Sequence, residues 1–459
     1  MAAPPGPAPG RLQNVLGLGF GLAGAVGGTI GAGILRTPGL VAAQLGSTPL
    51  IAACWLLGGA YAVLGAVCVA ELAAALPAAG GWWVYAERAF GRRAGLLTGW
   101  TDWVAHCIGL AWVATTAGEY AAALLPTGPV LLAKAIALSV IGLFSLIQWR
   151  GVKAGSASQE LLSLAKAGAF LALVVACFAM HPTLEPTTGL EAAAASAPPG
   201  DLQTLLLPGV LALQAVITTY DGWASPIYFA QEFNDPGRDL PRSLIGGVLA
   251  VLTLYLLINA ALLRVLPLPV LAASSLPAAA AAQALVGAAG GWLISAIALV
   301  ALLGLVNTVV MAAPRILYGL ASDGLLAAPL SRVNPGGTPA PALLLTAATA
   351  AALVLLGSFE RLLAMGAVLY VSLPLIGMAA LLALRLQEPE LPRPFMCWGY
   401  PLTPLLIAAG SLAFVVGAVA TDALSSLAAA ALALVALALP AGAPTPAAAS
   451  GGPPDSPER

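Results

Sequence analysis

Long apolar runs, most of them near the ~20 residues that a bilayer requires, alternate along this chain with short clusters of Pro, Gly and charge. Cutting at those clusters leaves twelve apolar segments, at residues 14–45, 49–76, 95–125, 130–149, 157–180, 204–232, 243–266, 284–320, 341–357, 361–384, 402–421 and 423–440. The pattern predicts an all-α membrane protein with twelve transmembrane helices. Two of the segments are interrupted where their backbone is most dehydrated. The first contains Gly27-Gly28-Thr29-Ile30-Gly31-Ala32-Gly33-Ile34-Leu35, with four glycines in seven residues. Each interior Gly costs a helix about 1 kcal/mol relative to Ala, and unsatisfied backbone groups in hydrocarbon cost several more. Such a weak point predicts a broken helix lining a cavity.

The sixth segment repeats the anomaly with Ile217-Thr218-Thr219-Tyr220-Asp221-Gly222-Trp223-Ala224-Ser225-Pro226 at its centre. Asp, Gly and Pro are poor helix formers, and the residue before Pro226 is pushed out of the helical region. The two breaks lie five spans apart, and five is odd, so the sixth span crosses in the direction opposite to the first. That spacing predicts two five-helix halves of inverted topology whose broken helices meet at the midplane, as in secondary transporters. Broken half-helices offer free N–H groups to anions and free carbonyls to cations. An α-amino acid, with a carboxylate beside an ammonium, is the simplest ligand of that description. Glycines at 31 and 33 let it approach the bare backbone.

Composition agrees with the membrane reading: 60% of the residues are hydrophobic and 8% charged, mean hydropathy is +0.95, and a soluble domain carries about 25% charge. The first run lacks the basic region and cleavage site of a signal peptide, so it is read as a retained span. Placing the N-terminus inside assigns thirteen of the eighteen Lys and Arg to the inner loops, with Arg36, Lys134, Arg264 and Arg361 outside and Lys166 within a span. Both termini are therefore expected to be cytoplasmic, in a plasma or inner membrane. The expected organisation is a disordered N-terminus (1–13), a first repeat (14–180), an outer loop (181–203), a second repeat (204–384), two further spans (385–440) and a disordered tail (441–459).

Four polar groups inside the spans remain to be explained. Asp102 and His106 are four apart on one helix face, with Glu119 further along. A proton relay is conceivable there, but Asp102 is expected near the inner interface, where it can hydrate. Lys166 stands about 14 Å into its helix, too deep to snorkel, so it is expected to face the bundle interior and to serve the site. The aromatics Trp82, Trp83 and Tyr85, close to Arg88, Arg92 and Arg93, suit a headgroup zone. Cys54, Cys68, Cys107, Cys177 and Cys397 are scattered and read as small core hydrophobes. Gly17-Leu18-Gly19 opens no βαβ unit, and no HExxH, GxSxG or Cys cluster suggests an enzyme, a metal or a cofactor. No ring of like charge marks a channel filter.

Seven motifs in order carry a resemblance: Gly31-Ala32-Gly33-Ile34; Glu71-Leu72 with Pro77-Ala78-Ala79-Gly80-Gly81; Arg150-Gly151-Val152-Lys153; Tyr220-Asp221-Gly222-Trp223; Asn234-Asp235-Pro236 with Leu240-Pro241; Arg315 with Asp323-Gly324; and Tyr400-Pro401-Leu402-Thr403-Pro404. Over residues 14–440 the chain resembles the amino acid-polyamine-organocation (APC) transporters, near the L-type light-chain exchangers and their bacterial relatives. The resemblance implies a LeuT-like 5+5 inverted repeat with discontinuous helices 1 and 6 and two extra C-terminal helices. It implies that amides of Gly31, Ala32 and Gly33 hold the substrate carboxylate, and that carbonyls near Thr29 or Ile30, and near Thr218 and Asp221, take the ammonium. Thr219, Tyr220, Gly222 and Trp223 complete that second segment of the site.

Lys166 matches a lysine that replaces a sodium ion in similar transporters, implying sodium-independent transport. Thr218 departs from the bulky aromatic that caps the substrate in similar exchangers, and Ala224 from larger polar residues, leaving Tyr220, Trp223 or Tyr370 as the lid. No outer-loop Cys is placed to pair with a heavy chain, so a lone subunit or weak homo-oligomer is expected. The reading is a transporter of amino acids, neutral ones by preference, acting as exchanger or proton symporter on a small-molecule substrate in the lipid bilayer, with no nucleic acid partner. A polyamine or cationic amino acid transporter and a channel-like passive pore are the alternatives.

Overall fold

The computed structural model describes residues 12–31, 33–123, 130–180, 202–357 and 359–439. The expected disorder of both termini, most of the 181–203 loop and the site position Ala32 lie outside the described residues. Helices form wherever the apolar runs predicted them. The first run splits into α1 (Leu18–Thr29) and α2 (Gly33–Leu45), whose axes bend by 48°. After α3 (Thr48–Ala75), a short α4 (Trp82–Phe90) leads into α5 (Arg92–Ala123), α6 (Val130–Trp149) and α7 (Val152–Ala179). Then come α8 (Leu202–Tyr220), a 3-10 helix (Ser225–Glu232), α9 (Pro236–Val265), α10 (Leu268–Ala273), α11 (Pro277–Val286), α12 (Ala289–Ser322), α13 (Ala340–Leu356), α14 (Phe359–Gln387), α15 (Leu402–Thr421) and α16 (Ala423–Leu434). Only Asp422 separates the last two, and its carboxylate caps α16 by accepting from the Ser425 amide at 3.0 Å.

Among the described residues, seven helices are long and apolar enough to cross a membrane, or eight if the bent pair α1–α2 is one span. Outward faces are apolar: on α7, Leu161 and Leu164 are 67% and 73% exposed, whereas Lys166 on the opposite face is fully buried. Two packing groups share the interior. In one, α9 lies along α3 and α1 while α8 lies along α2 and α3; in the other, α5 packs on α12, α6 and α13. Helix α7 touches both groups through α1 and α12, and α14 rests on α5, α4 and α15.

The end of the molecule where α1 begins is closed. Amides of Val15 and Leu16 donate to the Glu232 carbonyl at 3.1 and 3.0 Å, and the Asn234 amide to the Leu16 carbonyl at 2.9 Å. Arg315 of α12 makes a buried ion pair with Glu232 and stacks 4.6 Å above Phe229. Close by, Glu71 of α3 accepts two bonds of 2.7 Å from Arg385 and one of 2.7 Å from the Cys397 amide. Trp82, Trp83 and Tyr85 turn inward and are at most 5% exposed, because α4 folds back onto α5 and α14.

Candidate functional site

The two interruptions touch. Gly222 takes φ +103, open only to glycine at little cost, and a Cβ there would stand 2.2 Å from the Gly28 carbonyl. A Cβ on Gly28 would meet the Gly222 carbonyl at 2.4 Å and Ser225 Oγ at 2.3 Å. The glycine pair is therefore what lets the second break cross the first. Tyr255 of α9, fully buried, reaches both: its hydroxyl stands 3.1 Å from the Thr29 carbonyl and 3.3 Å from the Thr219 carbonyl. On the far side of the crossing, Thr37 of α2 and Thr219 of α8 share a hydrogen bond of 2.7 Å.

The carbonyls freed at the end of α1 find a cation. Lys166 Nζ donates to the Gly27 carbonyl at 2.6 Å and to the Ile30 carbonyl at 2.9 Å. One turn and two turns earlier on the same face of α7, Ser163 and Gln159 bond the Ala23 carbonyl at 2.8 and 3.4 Å. Behind them Asn307 of α12 donates to Gln159 Oε1 at 2.8 Å and accepts from Gln148 of α6 at 2.9 Å. A polar ladder thus fixes the end of α1 to α7 and, through Asn307, to α12. The start of α2 leaves its first amides without intrahelical partners, and Gly33 there is exposed.

On the second break, the side chains do not all face the crossing. Thr218 and Asp221 are exposed. Tyr220 turns instead toward α3, where its hydroxyl donates to the Trp55 carbonyl at 3.3 Å, and Trp223 packs against Gly65 of the same helix. In this conformation neither side chain reaches the crossing, because both pack against α3. Tyr370 of α14 lies by Gly109 of α5, with its ring 5.5 Å from that of His106.

The signature of the amino acid permease family matches residues 15–443. The chain belongs to that family. The permease is 28% identical over 425 residues to the serine/threonine exchanger SteT of Bacillus subtilis, covering 90% of this chain and 93% of that one. It is 27% identical over 397 residues to the human b(0,+)-type amino acid transporter 1, covering 83% and 78%. It is 28% identical over 397 residues to the mouse Asc-type amino acid transporter 1, covering 83% and 72%.

One feature of the permease departs from the sequence reading, and one adds to it. Asp102 is not hydrated near an interface; it is fully buried, because α4 and the 3-10 helix close over that part of α5. Two of the scattered cysteines converge, with Cys68 and Cys397 Sγ atoms 3.4 Å apart. Sequence reasoning also missed Tyr255, Gln159, Ser163 and Asn307. For the first three a signal existed: Gln159, Ser163 and Lys166 recur at helical spacing on one face, and Tyr255 is a polar-tipped residue four before Asn259 in an apolar run.

Proposed function

We propose that this permease is a sodium-independent secondary transporter of neutral amino acids working by alternating access, with exchange as its primary mode. The observation that carries the proposal is the crossing of two broken helices with the Lys166 ammonium seated on the carbonyls of Gly27 and Ile30. A fixed cation fills the position at which a mobile one would otherwise satisfy those carbonyls, which supports independence from sodium. Amides of Gly31, Ala32 and Gly33 receive the substrate carboxylate at the start of α2, and carbonyls near Thr29, Thr218 and Asp221 receive its ammonium. The name of the Bacillus subtilis relative, a serine/threonine exchanger, supports exchange.

Packing supports an inverted repeat of five spans each, followed by two more, for twelve in all. Exchanging α1–α2 with α8 and its 3-10 partner, α3 with α9, α5 with α12, α6 with α13 and α7 with α14 maps several of the observed contacts onto other observed contacts. Thus α1 with α9 answers α8 with α3, α5 with α6 answers α12 with α13, and α7 with α12 answers α14 with α5; the short α4 on α5 answers α11 on α12. We take the closed end as cytoplasmic, with both termini there. A channel-like pore fits poorly with an end sealed by backbone bonds and a buried ion pair. All five cysteines are buried, which supports a subunit that works without a disulfide-linked heavy chain. A second reading, transport of cationic amino acids, draws on the exposed carboxylate of Asp221 at the break.

The test is uptake of a panel of labelled amino acids by proteoliposomes, with and without internal amino acid and with sodium replaced by choline. Neutral amino acids should exchange at equal rates in both salts. A strict sodium requirement would overturn the role given to Lys166, and preferential uptake of lysine or arginine would decide for the second reading.

A further inference from the structure

The substrate crossing leaves unused a second buried polar cluster, on the closed side of the breaks. Asp102 is fully buried and His106 is 5% exposed. His106 Nδ1 lies 3.0 Å from Asp102 Oδ1 and 2.9 Å from the Asp102 carbonyl. A carbonyl only accepts, so Nδ1 carries the hydrogen and Nε2 is left as a base. Across the boundary between the two packing groups, Tyr228 of the 3-10 helix donates to the same Oδ1 at 3.1 Å. The other carboxyl oxygen, Oδ2, is buried without a partner among the described residues.

The charge on this pair decides how it can be buried. With one proton beyond the Nδ1 hydrogen, whether it sits on Oδ2 or on Nε2, the pair is neutral overall; without it the pair carries a full negative charge. A buried carboxylate with one oxygen unpaired is costly, and the proton belongs to the pair more than to either residue. Among the described residues, the groups facing it do not supply a compensating cation: Tyr228 comes from the 3-10 helix, Tyr370 from α14 and Asp221 from the break. The nearest arginine of α12, Arg315, is taken up by Glu232.

We propose that Asp102 and His106 form a proton-binding site whose occupancy is tied to closure of the α1 end through Tyr228, giving the permease a proton-coupled uptake mode beside exchange. One proton passes from water at the exposed Asp221 to the Asp102–His106 pair while the end is closed. When the 3-10 helix swings away, Tyr228 withdraws its hydroxyl, water reaches the carboxylate, and the proton leaves to the opposite side. Tyr228 is a positioning residue: it never holds the transported proton. The inference rests on the transporter reading above.

The experiment uses the full chain in proteoliposomes free of internal amino acid, with acid outside and a labelled substrate from the panel. Wild type should concentrate substrate up to about tenfold per unit of pH gradient, the ~1.4 kcal/mol that one proton carries. Asp102→Asn and His106→Gln should fail to concentrate it, yet keep exchange of labelled for unlabelled substrate within about threefold of wild type; that exchange also reports folding. Tyr228→Phe removes one donor to the carboxylate, so the pH midpoint of uptake should move upward by about one unit, the worth of a hydrogen bond to a charged group. Gradient-driven accumulation that survives in both Asp102→Asn and His106→Gln would overturn the site. So would an unmoved midpoint in Tyr228→Phe, or a wild type that exchanges but never accumulates. A wild type that neither exchanges nor accumulates any amino acid would instead overturn the transporter reading itself.

Discussion

Replacing Lys166 by Met keeps the length and apolar bulk of the side chain and removes only the ammonium. Two carbonyls, of Gly27 and Ile30, then lose donors now at 2.6 and 2.9 Å. Each buried acceptor left unsatisfied costs about 1–3 kcal/mol, so the ordered break loses about 2–6 kcal/mol. Against this stands the relief of not burying an ammonium, itself several kcal/mol. The two effects act at different levels. Global stability sees both and should change little, with a melting temperature within a few degrees of wild type. The local geometry sees only the loss, because nothing now holds the carbonyls turned toward α7, and the same break carries the amides that receive the carboxylate. If about 2 kcal/mol of the loss appears in binding, kcat/KM for uptake falls about thirtyfold, at tenfold for each 1.4 kcal/mol. Uptake by proteoliposomes, with melting followed in detergent, separates the two. A Lys166→Met protein that transports within twofold of wild type would refute the reasoning, since the carbonyl geometry would then not depend on the cation.

Gly222→Ala should abolish transport, since its φ of +103 and the Gly28 carbonyl 2.2 Å from the new Cβ forbid the crossing; Gly168→Ala, where a Cβ meets nothing within 4 Å, should transport normally and unfold no sooner. Equal activity of the two variants would refute the close approach. Tyr255→Phe keeps the ring and removes a hydroxyl shared by both breaks, a loss of about 0.5–1.5 kcal/mol, so KM should rise up to about tenfold; an unchanged KM would show that the hydroxyl does not order the site. Glu87, on α4 between the spans, has its carboxyl pushed up to about 7 by burial and then by the neighbouring Asp323. Its protonated form fits the folded protein, so the stability it contributes is complete below the ordinary value of 4.5 and is lost as pH rises toward 7. Melting temperatures of Glu87→Gln across that range should therefore fall less steeply than those of wild type, and parallel curves would refute the assignment.

What the sequence made legible follows from what membrane folding punishes. A backbone break in hydrocarbon must be written in Gly, Asp and Pro, so residues 27–33 and 217–226 stand out, and a charge in hydrocarbon must find partners, so Lys166 does too. Rotation of a helix about its axis is written far more faintly, because lipid-facing and core-facing positions are both apolar. Hence Tyr220 and Trp223, adjacent to the exposed Asp221, gave no sign that they turn to α3. Burial was misjudged for Asp102, Trp82 and Tyr85 for a related reason: counting residues from a span's end measures distance along one helix. It does not reveal that α4 and the 3-10 helix fold over it. The Cys68–Cys397 approach joins positions 329 residues apart, with no local pattern to announce it.

The contacts that must break for the closed end to open differ in kind from those that must persist. The start of α1 and the end of the 3-10 helix are joined by backbone bonds from Val15, Leu16 and Asn234 and by the edge-on rings of Phe20 and Phe229, 5.1 Å apart. The 3-10 helix is tied to α5 and α12 by side chains, Tyr228 to Asp102 and Glu232 to Arg315, and to the turn before α4 by one backbone bond, from the Gly80 amide to the Tyr228 carbonyl at 3.3 Å. Side-chain ties between packed groups rearrange by rotamer change, whereas a shared backbone bridge moves as one piece. The two half-helices should therefore swing together. Cysteines replacing Leu16 and Phe233, which face each other across the isolated bridge, should tolerate cross-linking by a short reagent in a background with the five native cysteines replaced by Ala or Ser. Exchange in proteoliposomes should continue at more than about half the rate of the uncross-linked pair if the segments travel together. Arrest on cross-linking, reversed when a cleavable reagent is reduced, would show that α1 and the 3-10 helix part company during transport.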